Sequence, residues 1–305
     1  MPSKNRPNRV IHGFLVLPGL LLSMSASAEV TFDPRSPQMR FAASEINEAL
    51  ASRGERASVA LEVDPSVELK AEGFSIVKRG DGCRVIGKDP VGAMYGGLDI
   101  AEAIRTGTLD SLKDSDHQPH IQRRGIKFNI PLDLRTPSYT DCSDAAQANI
   151  PVMWDREFWT DFLNAMARHR YNVLSLWSLH PFPSLVKVPE FPEVALDDVW
   201  RTRVKLDDAF SFAGNDMVRP AMLADHEVVK YMTIDEKIEF WRWVMQHAAD
   251  RGIQIYFFTW NVFTFGAEGK HGITDDLGNE ITKKYFRASV REMVKTYPRL
   301  AGMGI

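Results

Sequence analysis

From Arg124 onwards the chain alternates strand and helix patterns with a regularity that leaves few folds open. Arg124 to Ile130 reads as a strand, Asp155 to Arg170 as a helix with Phe158, Phe162, Ala165 and Met166 on one face, and Asn172 to Ser178 as a second strand. The next helix opens with Thr233-Ile234-Asp235-Glu236, a spacing in which the threonine hydroxyl and the glutamate satisfy each other's backbone donors. It would bury Ile238, Trp241, Met245 and Ala248 and stop at Gly252. Ile253 to Trp260 is a third strand, apolar almost throughout, as strands covered on both faces are. A helix near Lys283 to Tyr297 would turn Phe286, Val290, Met293, Val294 and Tyr297 inward, and the run from Leu300 to Ile305 begins a fourth strand.

Strands separated by helices in this way pair in parallel through right-handed crossovers, which leaves an open doubly wound sheet or a (β/α)8 barrel. A dinucleotide-binding sheet carries a glycine-rich turn after its first strand, whereas this strand runs into Pro131-Leu132-Asp133-Leu134 and a long loop. The barrel is favoured. A barrel takes roughly 250 residues, and residues 119–305 reach only its fourth strand. The expected fold class is therefore an α+β accessory domain followed by an incomplete (β/α)8 TIM barrel of about three and a half units.

The accessory domain is expected over residues 29–118. Met39, Ala42, Ala43, Ile46 and Leu50 recur at helical spacing up to Arg53-Gly54. Ser58–Val63, Gly73–Lys78 and Cys83–Gly87 read as strands, the last two joined by the hairpin turn Arg79-Gly80-Asp81-Gly82, and a second helix runs from Pro90 to Arg105. Asp114 to Pro119 reads as a linker. Residues 1–28 have the form of a signal peptide: Lys4, Arg6 and Arg9, an apolar stretch from Val10 to Met24, and a cleavage site at Ala26-Ser27-Ala28. Pro18 and Gly19 interrupt the stretch, which falls short of the roughly 20 residues of a membrane span, so cleavage after Ala28 and a secreted or periplasmic protein without a stable anchor are expected.

A net charge of -3 excludes the basic surplus that nucleic acid or an anionic membrane would attract. Cys83 and Cys142 are too few for a disulfide framework and fall in different domains, so two unpaired, partly buried thiols are expected. No cofactor and no metal are expected. His117 and His120 have ligand-like spacing but no third candidate nearby.

In a barrel the site is built at the C-terminal ends of the strands and from the loops that follow. The strands end at Lys127-Phe128-Asn129, at Trp177-Ser178-Leu179-His180 and at Thr259-Trp260-Asn261. Indole faces pack against the C–H face of a sugar, and asparagine, histidine or lysine hydrogen-bond its hydroxyl and carboxylate groups. Asn129, Trp177, His180, Trp260 and Asn261 are therefore the expected substrate-binding residues. The loop from Leu179 to Met232 would shape access; its Asp197, Asp198, Asp207, Asp208 and Asp216 read as solvated or helix-capping. Glycoside hydrolysis needs two carboxyl groups, or one assisted by a substrate group. Glu268, in the loop after the third strand, is a candidate, with Asp133 and Asp275 weaker ones, and the catalytic residues are expected beyond Ile305.

The stretch Asp89-Pro90-Val91-Gly92-Ala93-Met94-Tyr95-Gly96-Gly97-Leu98 resembles the helix start in the N-terminal domains of family 67 α-glucuronidases and family 20 β-hexosaminidases. Arg124-Gly125 resembles the opening of their first barrel strand. The resemblance implies a glycosidase acting on oligosaccharides derived from polysaccharide, α-glucuronidase-like, with its general acid at or after the fourth strand. The alternatives are a β-N-acetylhexosaminidase-like hydrolase or a non-catalytic carbohydrate-binding protein.

Overall fold

The computed structural model describes residues 29–305 except 81, 139, 140, 212, 213, 215, 261 and 262. The expected signal peptide, residues 1–28, lies outside the described residues, and none of the described helices is long and apolar enough to cross a membrane.

The first unit comprises β1 (Glu29–Thr31), α1 (Pro37–Arg53), β2 (Ser58–Val63), β3 (Phe74–Arg79), β4 (Gly82–Gly87), α2 (Pro90–Thr106) and β5 (Ser115–His117). Its sheet has the order β1-β2-β4-β3-β5, with β3 and β4 forming the hairpin. Both helices are capped by side chains at their starts, Ser36 on Met39 N and Asp89 on Gly92 N, and end on left-handed glycines, Gly54 and Gly107. Gly96 and Gly97 let α2 lie close on its neighbours: a Cβ on Gly96 would stand 2.4 Å from Val85, and one on Gly97 2.8 Å from Ala42. The stretch read as a linker contains β5, which pairs with β3. Its pattern is polar because β5 is an exposed edge, with His117 stacked on Phe74 at 4.8 Å.

The second unit comprises β6 (Gly125–Asn129), α3 (Asp144–Asn149), α4 (Arg156–Arg168), β7 (Val173–Trp177), α5 (Phe182–Leu185), β8 (Val199–Thr202), α6 (Pro220–Ala224), β9 (His226–Lys230), α7 (Ile234–Ala249), β10 (Gln254–Phe258), α8 (Glu280–Thr296) and β11 (Leu300–Gly304). Four parallel strands stand in the order β11-β10-β7-β6. Spatial order follows chain order without the reversal that defines a doubly wound sheet, so the architecture is barrel-like. The capping box at Thr233 and Glu236 is present, and α7 buries Ile238, Trp241, Met245 and Ala248.

Among its described residues the long loop after β7 carries α5, α6 and an antiparallel β8–β9 hairpin, held by the fully buried Lys237, whose ammonium donates to the Leu196 and Asp198 carbonyls. Two further sequence expectations are corrected. β10 is not covered on both faces: Ile255 and Phe257 pack among the helices, whereas Tyr256 and Phe258 are half-buried on the open face. In α8 the buried face runs through Thr282, Tyr285, Ser289 and Met293, leaving Val290 at 40% and Val294 at 62% exposure on its flank. Helical spacing alone leaves a rotation of one residue undecided when apolar side chains occupy adjacent stripes.

Cys83 and Cys142 are both free and buried, the first in the core of the small unit and the second in a satellite cluster with Leu179 and Met217.

Candidate functional site

Strand register fixes which side chains meet. Asn129, Trp177, Phe258 and Gly304 stand side by side across the four strands, with Lys127, Ser175, Tyr256 and Gly302 in the layer below. Since Leu174, Leu176, Ile255 and Phe257 occupy the helix-packed side, alternation puts both layers on the open face. The Trp177 and Phe258 rings stack in parallel at 4.5 Å with an interplanar angle of 5°. Gly304 makes room for this: a Cβ there would lie 2.2 Å from the Phe258 ring. The Lys127 ammonium sits 4.5 Å from the centroid of the Trp177 ring, whose Nε1 donates to Ser175 Oγ at 2.6 Å. Lys127 and Asn129 are exposed. The result is an aromatic platform with a cation and an amide beside it, open to solvent.

The expected site residues fare differently. Asn129 and Trp177 lie together in this layer. Trp260 does not occupy a position equivalent to Trp177; register gives that place to Phe258, and Trp260 lies two residues on, in a half-buried cluster with Phe263, Phe265, Cys142 and Leu179. Asn261 lies outside the described residues. His180 has no exposure: its Nδ1 donates to the Phe265 carbonyl at 2.6 Å and its Nε2 accepts from Tyr285 Oη at 3.1 Å. Desolvation lowers its pKa to about 4, so it is a neutral internal tie with no ring nitrogen left to meet a sugar. Phe258 is the residue the sequence reading passed over. Its signal was its even spacing from Gln254 and Tyr256, which puts it on their face.

The carboxylates have structural partners or lie outside the platform. Asp133 is fully buried, receives both Nε and Nη2 of Arg135, and accepts from Trp200 N. Asp197 accepts from the first backbone amide of α7, and Asp198 from Met232 N. Glu268 and Asp275 are exposed loop residues. Neither layer carries an Asp or Glu, and no group of three or more metal-binding side chains occurs among the described residues.

No protein-family model and no curated protein matches the sequence. Solved structures do. A glycoside hydrolase of family 138 targeting pectin rhamnogalacturonan II superposes with a TM-score of 0.64 at 22% identity, over 90% of this chain and 30% of that one. A family 20 β-N-acetylhexosaminidase from Streptomyces coelicolor matches with a TM-score of 0.52 at 11% identity, over 89% of this chain and 53% of that one. A family 20 exo-β-N-acetylglucosaminidase from Vibrio harveyi gives 0.50 and 12%, over 89% and 42%. This chain thus spans between 30% and 53% of these proteins' lengths. At such identities the likeness is one of architecture: a small α+β unit leading into parallel βα units is a glycoside-hydrolase-like fold.

Proposed function

We propose that this chain supplies the accessory domain and the first three and a half units of the (β/α)8 barrel of a secreted or periplasmic glycoside hydrolase. Its substrates are oligosaccharides derived from polysaccharide. The observation that carries this reading is the Trp177–Phe258 platform, flanked by Asn129 and Lys127 at the C-terminal ends of parallel strands, in a fold shared with glycoside hydrolases. Aromatic faces take the C–H side of a sugar ring, and the amide and ammonium take its oxygens. The Lys127 cation favours a uronate-bearing sugar, in keeping with an α-glucuronidase-like activity, over the neutral acetamido sugars of the hexosaminidases. Hydrolysis needs carboxyl groups, and neither layer of the platform holds one.

Calorimetric titration with uronate-bearing and neutral oligosaccharides tests this. Trp177→Ala should weaken both by about 1 kcal/mol, roughly five-fold, and Lys127→Met only the uronate-bearing one. Affinities unchanged in both variants would sink the assignment.

A further inference from the structure

At the other end of the barrel-like sheet, where β6 and β7 begin, the small unit closes over a cavity of about 290 Å³, near the lower bound of small-molecule pockets, roughly 300 Å³. It lies between β3, β5 and α2 on one side and Arg124 and Arg170 on the other. Two features show polar capacity that the protein does not use. Tyr95 is 2% exposed, and its hydroxyl has no hydrogen-bond partner among the described residues. The Arg124 guanidinium lies close enough to act on that hydroxyl both as a charge and as a side-chain donor, but the pair falls outside hydrogen-bond geometry. Asp99 binds Arg170 through Oδ1, and its Oδ2 accepts from none of the described residues. A buried hydroxyl without a partner costs about 1–3 kcal/mol, and such groups in folded proteins are normally satisfied.

The charges in the cavity cancel. Glu72 pairs with Arg124 at 2.5 Å while accepting from Asn172 Nδ2 at 2.8 Å, and Asp99 pairs with Arg170. With both arginines matched to carboxylates, the site offers neither a net attraction for an anion nor one for a cation. It offers instead alternating donors and acceptors, together with the flat stack of His117 on Phe74 near the mouth, where His117, Gln118 and His120 are exposed. A neutral, hydroxyl-bearing ring with one apolar face fits that lining.

We propose that this seam is a binding site for a neutral monosaccharide unit, separate from the Trp177 platform, with Tyr95 Oη and Asp99 Oδ2 as its hydrogen-bonding groups. The inference stands on the cavity and does not depend on the function assigned to the platform.

The test is saturation-transfer NMR and calorimetric titration of the full chain with glucose, galactose and N-acetylglucosamine. At least one should bind saturably, with a dissociation constant of roughly a millimolar. Tyr95→Phe and, separately, Asp99→Asn should weaken it five-fold or more, and Trp177→Ala should leave it unchanged. The proposal is overturned if none of the three binds, if binding survives both seam variants, or if it is lost in Trp177→Ala, which would move the sugar to the platform. It is also overturned if Tyr95→Phe raises the melting temperature without changing sugar affinity, since the hydroxyl would then meet water alone.

Discussion

At His180 a carbonyl and a phenol decide the protonation state. The Phe265 carbonyl can only accept, so Nδ1 carries the proton and Nε2 is left to accept from Tyr285. A second proton has no acceptor to meet inside a site with no solvent, which is why burial outweighs the helpful carbonyl and brings the pKa from 6.5 to about 4. The unfolded chain then binds the proton more readily than the folded one. This contribution to stability is intact above about pH 6.5 and is lost as the pH falls towards 4, to an extent of about 3 kcal/mol. Urea titrations between pH 7 and pH 4 should show it. His180→Gln should be less stable at pH 7 by about 1–3 kcal/mol and flatter across the interval, whereas parallel profiles would remove His180 as the cause. A histidine just after a barrel strand suggests chemistry when seen as sequence. The phenol that neutralises that suggestion comes from 105 residues away.

Elements show the same contrast between local and distant information. Helix ends were legible because caps act within a turn: Thr233 with Glu236, Asp89 on the amide of Gly92, and glycines at the exits. The four parallel strands were legible from their spacing and apolar content. Which face of β10 stayed open was not, because Tyr256 and Phe258 are apolar in composition and only register across β7 and β11 places them away from the helices. Trp177 and Asn129 could be picked from sequence for their strand ends, but the pairing of Trp177 with Phe258 needed that register. β11 contributes by having no side chain at Gly304. Gly304→Ala should drive the Phe258 ring away from the new methyl group, loosening its stack on Trp177 at a cost of about 1–3 kcal/mol. A shift in tryptophan fluorescence with a lower melting temperature would register this. Gly302→Ala, whose Cβ would stand 3.0 Å from Tyr256, should do less.

Across the whole molecule the two units are joined by ion pairs along one seam. Glu45 of α1, almost fully buried, receives Arg105 from its own unit and Arg168 from α4, each at 2.7 Å. Burial works against its charge, but the two arginines prevail and hold its pKa below the usual value of 4.5. Its stabilising share is therefore present above pH 4.5 and fades as the carboxylate protonates below it. Glu45→Gln should cost about 1–2 kcal/mol near neutral pH, less than a fully buried pair would because both arginines are well over a third exposed. Scanning calorimetry should find the small unit melting earlier than in the parent protein, and an unchanged, single transition would show that the seam does not couple the units through Glu45.

The seam also has a direction in time. Glu45, Glu72 and Asp99 all belong to the unit that leaves the ribosome first, and their partners Arg168, Arg124 and Arg170 all belong to the one that follows. Domains generally fold as units, the N-terminal one first during synthesis. Three carboxylates are thus already present when Arg124, Arg168 and Arg170 emerge, one of them, Glu45, held beforehand by Arg105 of its own unit, and the early unit offers the surface against which the start of the later one is laid.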